Sequence, residues 1–134
     1  MRRNVIHYIA SVACFLAMTL ALYMVFIYAP IEKTMGVVQK IFYFHVSSAW
    51  VSFLAFFIVF LASFAYLLRP KRKLDILASS AAEIGLVFCT IVLVTGPIWA
   101  KPVWGIWWTW DARLTFTLVL WLIYVSYLML RRYV

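Results

Sequence analysis

The sequence predicts an all-α fold: a polytopic transmembrane helix bundle of four spans with both termini in the cytoplasm. Three observations lead there. The 134-residue chain is 68% hydrophobic and only 12% charged, with a mean hydropathy of +1.03. Soluble domains are nearer half apolar and a quarter charged, so a soluble fold of this length has too little interior to hide such a surface. The apolar residues also fall in four runs, each near the roughly 20 residues that cross a hydrocarbon core. Finally, the runs lack strand alternation, and helices satisfy their own backbone in lipid without closing a barrel.

The first run is Val5–Ala29, closed by Pro30. Arg2 and Arg3 precede it, but the run is too long for a signal-peptide core and lacks a small-residue cleavage site, so it reads as a retained span. The second run is Val46–Leu68, followed by the basic turn "RPKRKLD". The third is Ile76–Gly96, which contains Glu83 and is expected to end at Gly96-Pro97. A tryptophan-rich loop over 97–113 leads to the fourth run, Leu114–Leu130, with Asp111 placed to cap its first N–H groups. Residues 1–134 read as one domain without internal repeats.

Lys and Arg counts set the orientation. Arg2, Arg3, Arg69, Lys71, Arg72, Lys73, Arg131 and Arg132 put eight on one side; Lys33, Lys40, Lys101 and Arg113 put four on the other. The positive-inside rule places the first side in the cytoplasm and the tryptophan-rich loop outside. The net charge of +8 therefore reports topology and not nucleic-acid binding. Cys14 and Cys89 lie mid-span without a CxxC partner and read as small core hydrophobes. No nucleophile–base pair or Gly-rich phosphate loop is present, which argues against an enzyme.

The stretch "WAKPVWGIWWTWDARLT" holds Trp99, Trp104, Trp107, Trp108 and Trp110 within twelve residues. An interfacial aromatic belt accounts for two or three of these, but a belt belongs on both membrane faces. Here the tryptophans crowd one edge, where Trp50 also lies, and only Trp121 falls inside a span. If 104–111 is helical, Trp104, Trp107, Trp108 and Asp111 share one face at spacings of three and four. Such a face offers wide apolar planes beside a carboxylate and suits a large, flat, apolar ligand such as a macrocycle.

The segment "MGVVQKIFYFHVSSAW" places His45 at the outer mouth of the second span. Met35, Val38, Phe42, His45 and Ala49 step by three and four, so one helical face carries the imidazole among apolar groups. A lone histidine there is more often an interfacial polar residue, but neutral imidazole is also a usual axial ligand of haem iron. Lys33, Lys40, Lys101 and Arg113 are the cations on the same side, able to pair with haem propionates.

From about Met35 to Arg131 the chain resembles the haem exporter protein C (CcmC) family of cytochrome c maturation, through "GPIWAKPVWGIWWTWDARLT" and "MGVVQKIFYFHVSSAW". The resemblance implies a haem-handling protein of the bacterial inner membrane. It implies that Trp104, Gly105, Trp107, Trp108, Trp110 and Asp111, with Arg113 beside them, bind haem b non-covalently outside the membrane. It implies that His45 is an axial ligand of the iron. It further implies that haem passes to the periplasmic haem chaperone CcmE, alongside membrane and ATPase components of the same system. Family members have six spans and a second outward histidine after the fifth. With four spans here, a fragment or truncated product is expected, or another chain completes the site.

Other functions fit fewer residues. A cytochrome b-like carrier needs two histidines at one depth, whereas His7 and His45 are expected at opposite faces. A small transporter working through Glu83 draws on the cost of an intramembrane carboxylate but leaves the tryptophans unused. A membrane scaffold of the same maturation complex, binding no haem, is the remaining alternative.

Overall fold

The computed structural model describes residues 2–133, and every regular element among them is helical. The helices are α1 (Arg2–Tyr23), α2 (Gln39–Leu68), α3 (Arg72–Trp104) and α4 (Ala112–Tyr133), with one π-helical turn at Met24–Tyr28. Four helical segments among the described residues are long and apolar enough to cross a membrane. The contacts divide the chain into two compact units, one up to Lys40 and one from Ile41.

In the first unit, α1 widens into the π-turn and stops at Ala29, whose backbone turns extended (φ −66°, ψ 122°). That is the conformation demanded of a residue before proline. The Ala29 N–H still reaches the Met24 carbonyl at 2.8 Å. The Glu32 carboxylate then accepts the N–H groups of Thr34 (2.8 Å) and Met35 (2.5 Å). The Met35 bond is the main reason the Glu32 pKa lies below the usual carboxylate value. Gly36, at φ +59°, closes this turn in the left-handed region. Lys40 donates from Nζ to the Phe26 carbonyl at 2.7 Å.

In the second unit, α2 and α3 run antiparallel from a break at Pro70, and small residues line their contact. Ala55, Ala62, Ala78, Ala81 and Ala82 are buried, as are Ser48 and Ser52. Lipid tails are as apolar as leucine, so close backbone approach and hydrogen bonding hold such helices together. Ser52 donates to the Gly85 carbonyl at 3.1 Å. The Phe56 ring lies over Gly85 and stacks on Tyr124 of α4, centroids 4.0 Å apart. Helix α4 is also tied by Trp121 Nε1–H to Thr90 at 2.8 Å and by the Arg131–Asp75 ion pair near the far ends of the helices.

Four expectations about local structure are corrected. Helix α2 begins at Gln39, seven residues before Val46, so His45 lies inside it; Met35 and Val38 precede the helix and do not share the His45 face. Helix α3 does not end at Gly96-Pro97 but continues through Pro97 and Pro102 to Trp104. Each proline removes one helical hydrogen bond, a loss that helices in apolar surroundings tolerate through neighbouring contacts and local adjustment. The left-handed residue that ends the helix is Gly105, at φ +76°, with its N–H bonded to the Lys101 carbonyl at 2.9 Å. The tryptophan-bearing connection between helices therefore shrinks from 97–113 to 105–111. Cys89 is a buried core residue as expected, whereas Cys14 is exposed on α1.

A Cβ at position 85 would stand 2.6 Å from Phe56 Cε1, and the stack on Tyr124 restrains that ring from moving. Gly85→Val is expected to cost about 1–3 kcal/mol through overpacking. Val87→Leu, on the exposed side of the same helix, should leave stability unchanged. Denaturation midpoints of the purified variants check the difference.

Candidate functional site

The tryptophan-bearing end of the second unit contains a partly open cavity of about 150 Å³. Ligand cavities for small molecules run from about 300 to 1,000 Å³, so it admits the edge of a flat molecule, whose remainder would rest against the open walls. His45 comes from α2; Trp99 and Trp104 come from the last turns of α3; Trp107 and Trp108 come from the connection; Arg113 comes from α4. An adjoining open groove shares His45, Trp99, Trp104 and Arg113 and adds Phe42 and Trp50.

His45 is half-buried and held from two sides. Its Nδ1 lies 3.0 Å from Thr95 Oγ1, and its ring meets Trp99 edge to face at 5.9 Å. Trp99 also receives Phe42 at 5.4 Å and Trp104 at 4.8 Å, so it joins the histidine face of α2 to the end of α3. Gly96 leaves room for the imidazole: a Cβ there would lie 3.2 Å from His45 Cε1.

The stretch 104–111 is not the helix that a shared tryptophan face requires. Pro102 lacks a donor and Gly105 turns left-handed, so the chain leaves helix at Trp104 and re-enters it at Ala112. Trp104, Trp107 and Trp108 still line one cavity, through a folded connection and not through helical spacing. Trp110 does not line it; it is 76% exposed and packs edge-on against Trp108 at 5.7 Å. Gly105 and Asp111 lie outside the lining as well. Gly105 supplies the turn.

Asp111 supplies the start of α4. One carboxylate oxygen accepts the Leu114 N–H at 3.0 Å and the other accepts the Thr109 hydroxyl at 2.7 Å. These bonds, the Leu114 one foremost, hold its pKa below the usual carboxylate value. Arg113 approaches the same carboxylate at 3.7 Å and lies over the Trp104 ring at 6.0 Å. That ion pair is solvent-exposed and adds little stability, which leaves the guanidinium able to change partners.

Of the other cations considered, Lys101 donates to the Gly105 carbonyl at 2.8 Å and so helps fasten the helix end. Glu83 is exposed on α3, lines no part of the cavity and has no hydrogen-bond or ion-pair partner among the described residues. Two polar atoms of the wall have no partner: the Nε1–H groups of Trp99 and Trp108 are shielded from solvent and unbonded. They are donors of the kind a ligand oxygen satisfies.

Thr95, Gly96 and Trp99 were not among the expected site residues. They share one face of α3 at steps of one, three and four, a signal that becomes visible only if the helix is carried past Pro97.

Comparison with known proteins follows from these features. The family model described as heme exporter protein C matches residues 1–134. The heme exporter protein C of Rhodobacter capsulatus is 37% identical over 105 residues, covering 78% of this chain and 43% of that protein. Its counterpart from Bradyrhizobium diazoefficiens is 38% identical over 104 residues, covering 78% and 40%. The Escherichia coli K12 protein of the same name is 40% identical over 99 residues, covering 74% and 40%. The chain thus spans less than half the length of these relatives.

Because bonding in the folded protein lowers the Asp111 pKa, its contribution to stability is present above the unfolded carboxylate value and is lost as pH falls through the lower folded value. The protection of the Leu114 amide, measured against its intrinsic exchange rate at each pH, should fall over that acid window in the native protein. In Asp111→Asn, which caps without titrating, it should not.

Proposed function

The chain belongs to the heme exporter protein C family, and from that premise we propose that it holds haem at the periplasmic face of the inner membrane and hands it on for c-type cytochrome biogenesis. The observation that carries this reading is one cavity that gathers His45, four tryptophans and Arg113 in a chain matched end to end by that family. Haem is cargo here, bound without a covalent link to the protein, and the chain performs no catalysis on it.

Each residue has a separate task. The His45 imidazole offers its free nitrogen to the iron as an axial ligand. Trp104, Trp107 and Trp108 lie against the macrocycle, each worth roughly 0.5–1.5 kcal/mol beyond simple burial. Trp99 backs both the imidazole and Trp104. Arg113 meets a propionate, for which a guanidinium fork is well shaped. Gly105 and Asp111 set the course of the connection, and Trp110 braces Trp108 from outside.

The excess of Lys and Arg at the termini and in the turn before α3 supports cytoplasmic ends, which puts the cavity outside. Haem is then positioned for a periplasmic carrier, the chaperone CcmE, with the other membrane and ATPase components of the maturation complex as neighbours. A transporter working through Glu83 would leave the cavity without a task.

Titrating haem into the purified membrane protein tests the reading. His45→Ala should abolish or shift the haem absorbance; an unchanged spectrum in folded protein removes His45 as a ligand, and native protein that takes up no haem leaves only a scaffold. Trp107→Ala and Trp108→Ala should each weaken retention by about 2- to 10-fold. Trp110→Ala should weaken it less, and equal losses at all three would sink the stacking role. Cysteines placed at 36 or 106 should react with an impermeant label from the periplasm; labelling from inside only would invert the orientation.

A further inference from the structure

We propose that Thr95 is a positioning residue that fixes the His45 tautomer, keeping the ring proton on Nδ1 so that the Nε2 lone pair faces the incoming metal. The proposal rests on the reading of His45 as an iron ligand.

Two contacts argue for it. Thr95 Oγ1 lies 2.7 Å from the Ile91 carbonyl on its own helix, and a carbonyl can only accept, so the hydroxyl proton is spent there. The oxygen that remains is an acceptor, and His45 Nδ1 stands 3.0 Å away. The bonds form one chain, with Nδ1–H donating to the hydroxyl and the hydroxyl donating to the Ile91 carbonyl, and each bond polarises the next.

The opposite arrangement costs more. If the Thr95 hydroxyl donated to Nδ1, the ring proton would sit on Nε2 and the hydroxyl would give up its bond to the Ile91 carbonyl. Gly96 adds a steric condition. The ring edge carrying Cε1 lies where a Cβ at 96 would stand only 3.2 Å away. The hydroxyl of one residue and the missing side chain of the next thus set both the protonation and the pose of the imidazole. A metal-bound histidine needs such a partner on its other nitrogen, and losing one typically costs 10- to 100-fold in metal affinity.

Two measurements test it. In haem-free protein labelled with ¹⁵N-histidine and carrying His7→Gln, so that one imidazole is observed, the resonances should report Nδ1–H and an unprotonated Nε2. Thr95→Val should move population to the Nε2–H form, and Thr95→Ser should restore the native pattern. In haem titrations Thr95→Val should bind about ten-fold more weakly with a shifted absorbance, and Thr95→Ser should bind as the native protein does. A Thr95→Val protein with native tautomer and native affinity overturns the proposal. If His45→Ala binds haem normally, the ligand reading has failed by itself, and the tautomer measured without haem still decides the role of Thr95.

Discussion

The close approach of α2 to α3 is the constraint on which the site depends. Alanines, serines and Gly85 at their contact let the two backbones come near enough for Ser52 to bond a helix carbonyl. The same closeness brings His45 to Thr95 two helical turns further on. A bulkier seam would part the helices, and that bond would fail before any ligand contact changed. Helix α4 is secured to this pair along its length, by Phe56–Tyr124 stacking, by the Trp121–Thr90 bond and by the Arg131–Asp75 pair. A site gains precision when its side chains stand on rigid helices; His45, Trp99 and Trp104 have such a support, and Trp107 and Trp108 do not.

The division between helix and connection gives the two parts of the cavity different mechanical character. The imidazole and Trp99 are carried on helices that hold each other. Trp107 and Trp108 are carried on seven residues released from helix at one end by Gly105 and recaptured at the other by Asp111. A metal–nitrogen bond is directional and tolerates little displacement. Contact between an indole and a macrocycle is broad and tolerates sliding. If His45 ligates the haem iron as proposed, the rigid support goes to the interaction that needs it.

Much of this was legible in the sequence because it follows from composition. Four apolar runs gave four helices, Pro30 marked the end of the first, and Asp111 proved to be the cap of the fourth. His45 and the tryptophan cluster stood out by residue type. Three things did not. Pro97 reads as a helix end from local sequence, but in apolar surroundings the cost of ending a helix exceeds that of one missing bond, so α3 runs on for seven more residues. That error hid Thr95 and Gly96 and the link between Trp99 and His45, since their common face exists only on the longer helix. Conversely, the spacing of Trp104, Trp107 and Trp108 suggested a helix where Gly105 forbids one. Spacing identifies a face only after the helix limits are known, and here those limits were set by tertiary surroundings.

Asp111 shows how few groups fix the non-helical side of the cavity. Its carboxylate caps α4 through Leu114, holds the connection through Thr109 and attracts Arg113. The three share one negative charge. A ligand carboxylate that draws Arg113 away would remove only the weak, solvent-screened member of the set and leave the cap and the Thr109 bond in place. Protonation acts on all three together, since the neutral acid is a poorer acceptor and no longer attracts the guanidinium. Ligand capture and acid therefore perturb the same carboxylate differently. The first moves a side chain on an intact connection; the second loosens the connection that carries Trp107 and Trp108. The cavity walls can exchange charge partners without losing their shape only while Asp111 stays ionised, which its lowered pKa secures at neutral pH.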